Sequence, residues 1–180
     1  MAIKTKNQIY ADIIGFVNET LVALEITGWQ VLQLEQPIKL TDINPTIYVS
    51  VTNKKRLGWQ YRHYANTLAG YKRTDGFKVE VDVQFSALRR RDLNDTTSTM
   101  NNIDVLEYLK TYMLNPYSIQ NLRSKGYLIY QPSEIQSSDF SDDSDNFESW
   151  SFFSVTFILD QSLISPQNYI DSIQVKTKGI

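Results

Sequence analysis

Cysteine is absent from all 180 residues. Disulfides, thiolate metal sites and cysteine nucleophiles are thereby excluded. Histidine occurs once, at His63. Hydrolytic triads and most protein zinc sites need a histidine in company, often with cysteine or a second histidine. His63 sits in an aromatic stretch between Tyr61 and Tyr64, so a structural or surface imidazole is expected. Glycine is sparse, and its seven copies form neither a GxGxxG nor a GxxxxGK[ST] phosphate loop. A GxSxG nucleophile elbow is also missing. No cofactor is expected and the enzyme case is thin. No apolar window approaches the ~18 residues of a membrane span, and no apolar run follows the lysines of the opening MAIKTKNQ. No membrane partner and no secretory signal are expected, so the chain starts in a cytoplasm. A basic excess is missing too: 18 basic against 20 acidic residues give a net charge of -2. That argues against a dedicated DNA-binding domain while leaving room for local basic patches.

What is present suffices for a core. Hydrophobic residues make up 42%, with eleven Tyr, eight Phe and three Trp. The length fits one domain over residues 1–180 well and two very small ones poorly. Ile9, Ile13, Phe16, Val17, Leu21 and Leu24 recur at three- and four-residue spacing, predicting a helix from Thr5 to Leu24. Thr5 with Gln8 fits a capping box at its start. Trp29 to Pro45, broken by Pro37, reads as a connecting loop with room for a short edge strand. Thr46 to Thr52 alternates as a strand, with Ile47, Val49 and Val51 on one face. Asn53-Lys54-Lys55 then reads as a turn into a partner strand, Arg56 to Tyr64, which makes a hairpin. Ala65 to Gly76 reads as a glycine-bearing turn region. Phe77 to Ala87 alternates strictly, Val79, Val81, Val83, Phe85 and Ala87 against Lys78, Glu80, Asp82, Gln84 and Ser86.

A polar, arginine-bearing loop, Leu88 to Asn102, leads to a second helix over Ile103 to Leu114, stopped by Pro116. A short helical turn follows near Ser118 to Lys125, then a short strand over Tyr127 to Tyr130. Ser133 to Glu148 is rich in Ser, Asp and Asn and reads as a flexible acidic loop. Trp150 to Leu159 is apolar on both faces and so reads as a central strand. A weaker strand over Ile170 to Lys176 lies in a C-terminal extension counted from residue 161. The fold class is therefore α+β: a single mixed, mainly antiparallel sheet with two main helices packed on one face.

Charged groups supply the candidate sites. Asp139, Asp142, Asp143, Asp145 and Glu148 offer oxygens a hard cation could take. The EF-hand glycine and flanking helices are missing, so a solvated loop is the preferred reading and no metal site is assigned. Glu80 and Asp82 share one strand face as general acid/base pairs can, but the solvated side of an alternating strand explains both. Lys54, Lys55 and Arg56, with Arg89, Arg90 and Arg91, are the basic features. They suit subunit contacts or a passage lining better than dedicated nucleic-acid recognition.

The helix TKNQIYADIIGFVNETLVAL, the strands PTIYVSVT, RLGWQYRHY and FKVEVDVQFSAL, the helix NNIDVLEYLKTYML and the late strand ESWSFFSVTFILD together resemble phage tail or neck terminator (tail completion) proteins. The resemblance spans most of the chain as a pattern of elements, without a short diagnostic motif. It implies a structural virion protein that forms a six-fold ring on the tail tube. Such a ring ends tube polymerisation and meets the neck or connector, and DNA passes transiently and without sequence preference through its centre. The implied partners are the chain itself, the tail tube protein and a neck protein. The interface or channel candidates are then Lys54, Lys55, Arg56, Glu80, Asp82, Arg89, Arg90 and Arg91. Another phage connector, baseplate or head-completion component remains the alternative, as does a monomeric binding module. A metal-dependent hydrolase on the acidic loop ranks last.

Overall fold

The computed structural model describes residues 3–34, 45–67, 70–90, 100–141 and 147–166. Helix α1 (Lys6–Ala23) begins where Thr5 accepts from the Gln8 N–H and Gln8 accepts from the Thr5 N–H, satisfying two donors the first turn leaves free. Its buried stripe is Ile9, Tyr10, Ile13, Phe16, Val17, Thr20 and Leu21. Helix α2 (Asn102–Met113) starts with a second capping box, Asn101 with Asp104. Helix α3 (Pro116–Ser124) is capped by the Asn115 side chain. Pro116, expected only to stop the second helix, opens the third: its missing N–H costs nothing in the first turn.

Six strands make one sheet, β1 (Gln30–Gln33), β2 (Thr46–Thr67), β3 (Gly70–Arg90), β4 (Tyr127–Pro132), β5 (Gln136–Ser141) and β6 (Phe147–Pro166). The spatial order is β1-β2-β3-β6-β4, with β5 beside β4 on the same edge of β6. The β1–β2 pairing is parallel and the others antiparallel. This is the expected α+β class with three helices. Ile47, Val49, Val79, Val81, Val83, Phe85, Ala87, Phe153, Val155, Phe157 and Leu159 form the inner face and pack with the buried sides of α1 and α2. Phe85 and Phe153 stand opposite each other in the ladder and stack at 5.1 Å between centroids. β6 lies between β3 and the β4–β5 edge, with Phe153, Val155, Phe157 and Leu159 on its buried face and Phe152, Thr156 and Ile158 on its half-buried one.

Three expectations are corrected. No turn forms at Asn53-Lys54-Lys55; β2 runs through it as one 22-residue strand. A bulge at Thr52 absorbs the break in alternation, since Val51 pairs with Val83 and Asn53 with Asp82. The true partner is β3, whose first residues are the expected turn region, so Thr74-Asp75-Gly76 is strand. The acidic loop is also partly strand: Gln136–Ser141 pairs with Phe147–Phe152. That segment has little to bury, and its order comes from the ladder to an already buried β6. Finally, β6 continues past residue 161, with Gln161 and Ser162 buried. The strand expected over Ile170 to Lys176 lies outside the described residues.

Candidate functional site

Past Val51 the outer strand leaves the cover of the helices. Residues 52–64 of β2 are exposed apart from half-buried Leu57. With the start of β3 and the end of β6 they form a three-stranded arm. Lys54 donates to the Lys4 carbonyl at 3.0 Å, which marks where the N-terminal segment crosses the arm's root.

A second irregularity shapes the arm. Leu57 pairs with Lys78 and Tyr61 with Gly76, so β2 holds two residues more than β3 between those pairs. Gly58 takes φ +63°, a conformation a side chain would strain, and the extra length pushes Trp59 out to 96% exposure. The Tyr61 ring lies directly over Gly76. A Cβ at Gly76 would stand 1.9 Å from Tyr61 Cζ, so any side chain there must displace the ring. Tyr61 thereby reaches β6, and its hydroxyl donates to Asp160 at 3.0 Å. That hydrogen bond holds the phenol proton and raises its pKa.

On the other face, Asp75 accepts from Arg62 Nε and Arg73 Nε, each at 3.0 Å, with Arg73 Nη2 at 2.8 Å. The hydrogen bonds from Arg73 and then Arg62 hold its carboxyl below the usual range.

The sequence-predicted residues divide. Lys54, Lys55 and Arg56 sit together at the arm's root. Lys55 pairs with Glu80 at 2.6 Å, which raises the lysine pKa, and the Arg56 guanidinium lies 4.6 Å from the Phe77 ring centroid. Asp82 accepts from Asn53 at 3.0 Å and Thr156 at 2.7 Å, so it ties three strands together. Glu80 and Asp82 thus act within the sheet and present no acid/base pair. Arg89 lies at the opposite end of β3 and donates to the Met100 carbonyl at 2.6 Å. Arg90 is aligned with Glu148 in the ladder, and Arg91 lies outside the described residues. So do Asp142, Asp143 and Asp145. Among the described residues no three His, Asp or Glu side chains converge as metal ligands, and no helix is long and apolar enough to cross a membrane. His63 is exposed on the arm opposite Thr74.

A groove of about 310 Å³ lies on the far side of the sheet, between α2 and the segment joining β4 to β5. Ile103, Leu114 and Ile135 line it, and Lys110 pairs with Glu134 at 3.5 Å across it. Sequence reasoning missed Trp59, Asp75 and this groove. Gly58 inside an alternating run was the signal for a bulge, and Arg73-x-Asp75 for a same-face ion pair.

No curated protein sequence matches this chain. Among solved structures, the sheath/tube terminator of an extracellular contractile injection system (PVC, extended state) superposes with a TM-score of 0.50 at 11% identity. The superposition covers 100% of this chain and 64% of that one, so this chain matches less than two thirds of the injection-system protein. At that identity the likeness is one of fold. The protein family described as E217 gateway protein gp29 matches residues 8–167, from the first turn of α1 to the end of β6. The chain belongs to this family of phage gateway proteins.

Proposed function

We propose that the chain is a non-enzymatic virion protein of the phage tail–neck junction. As one domain over residues 1–180 it forms a homo-oligomeric ring, a hexamer, that ends the tail tube, meets the neck or connector protein, and lets DNA pass. The observation that carries this reading is the gateway family match along almost the whole chain, and the terminator-like fold agrees with it. The arm, Lys54, Lys55 and Arg56 at its root, and the Glu80 and Asp82 face are the proposed subunit surfaces. Arg89, Arg90 and Arg91 are the proposed channel lining. A ring of like subunits requires heterologous contacts whose rotation closes.

The test is the mass in solution by light scattering, alone and with the tail tube protein. Six copies of the 20.8 kDa chain in either condition are the expected result, the bound tube protein adding its own mass in the second. A monomer in both sinks the reading in favour of a monomeric binding module. For the channel, replacing Arg89, Arg90 and Arg91 by Ala lowers weak DNA retention; unchanged retention removes DNA contact from that loop.

A further inference from the structure

We propose that the arm of one copy docks in the groove of the next, with Trp59 as the knob and the cleft between α2 and residues 134–137 as the socket. The inference rests on the ring reading and names the contact that builds the ring. The knob is a tryptophan at 96% exposure, held out by the bulge at Gly58. An indole this bare has the largest apolar area to gain by docking, and tryptophan dominates binding energy at well-packed contacts.

The socket fits it. About 310 Å³ is enough for one aromatic side chain, and Ile103, Leu114 and Ile135 give apolar walls. Ile103 and Leu114 stay 39% and 43% exposed, so the walls are open to an incoming group. Charge matches as well. Exposed Arg56 lies three residues before the knob, while exposed Glu107 and Glu134 stand at the socket; Arg62 stays with Asp75 on the other face of the arm. The Glu134 side chain is 95% exposed even with Lys110 at 3.5 Å, so most of it remains available to a second cation.

Position permits a head-to-tail contact. The knob is on β2 and the socket lies beyond β6, with β3 and β6 between them. Two different surfaces meeting head to tail make a heterologous contact, which closes into a ring when the rotation between copies permits, whereas a reciprocal exchange of arms would end in a two-fold dimer that light scattering distinguishes.

The lack of cysteine makes the contact directly testable. One preparation carries Gln60→Cys beside the knob, a second carries Thr111→Cys in the groove wall. The two are mixed and oxidised, with tail tube protein added where assembly needs it. A cross-linked dimer in the mixture is expected. Adding Trp59→Ala to the Gln60→Cys copy should lower its yield at least about tenfold, the loss expected for an anchor residue. The melting temperature of its monomer, measured at concentrations where the parent is also monomeric, stays put because the indole packs against little of its own chain. An oligomer by light scattering that gives no cross-link, or the same yield with Trp59→Ala, overturns this contact and leaves the ring reading standing. A monomer in every condition overturns both.

Discussion

Gly76 and Tyr61 act as one unit. The ring occupies the space a side chain at Gly76 would need, and in doing so reaches Asp160 two strands away. Gly76→Ala therefore displaces the ring and should cost about 1–3 kcal/mol in chemical denaturation, the range for overpacking a filled site. The same substitution in a Tyr61→Ala background should cost much less, and a double-mutant cycle reads that coupling. Asp75 gives a pH dependence. Its pKa is lowered in the fold by Arg73 and Arg62, so its contribution is complete above the ordinary carboxylate pKa and is lost as pH falls through the folded value. Protection of the amides of Arg62 to Tyr64, expressed relative to the intrinsic exchange rate at each pH, should fall in that acid window, and Asp75→Asn should give the same reduced protection at neutral pH. Tyr127 works in the opposite direction. Burial and then its 2.7 Å hydrogen bond to Asp12 raise its pKa, so this stabilisation holds below the ordinary phenol pKa and fades as pH rises beyond it. Tyr127→Phe should lower stability by about 1–3 kcal/mol in denaturant titration and reduce the alkaline sensitivity, because it takes a partner from Asp12.

At the scale of elements, what was legible depended on whether a segment's order is local. The α1 stripe and the Thr5–Gln8 box are periodic and short in range, and the helix forms where they point. Val79 to Ala87 alternates without interruption and is strand over that length. Capping is equally local: Asn101→Ala should cost about 1 kcal/mol by thermal or chemical unfolding. The hairpin was misplaced because Asn53-Lys54-Lys55 has the composition of a turn. Whether it turns is decided by the register with β3, which single-strand patterning does not contain. The same long-range pairing hides the candidate site. Asp75 meets Arg62 only once the two strands are aligned, and Trp59 is exposed only because two extra residues must be accommodated opposite β3. The groove needs α2 and Ile135 side by side, although some twenty residues of chain separate them.

At the scale of the molecule, core and arm are separable. The inner face of the sheet lies with α1 and α2, while residues 52–64 of β2 add little to it. Joining Leu57 to Lys78, which face each other in the ladder, through a short turn should leave a folded protein with a cooperative melt, yet one that no longer self-associates by light scattering. Because the proposed rim contacts are exposed ion pairs, association of the intact chain should also weaken as salt rises from 0.05 to 0.5 M, values chosen around a Debye length of roughly 10 Å. The central strand β3 has a further consequence. Its 21 residues, roughly 65–70 Å if fully extended, are flanked by β2 and β6 along most of their length. Ladder hydrogen bonds run across the strands, so a pull along the strand axis loads many of them together in shear, whereas a pull across the sheet opens them one at a time. The sheet is therefore a beam, stiff along its length and weak across it.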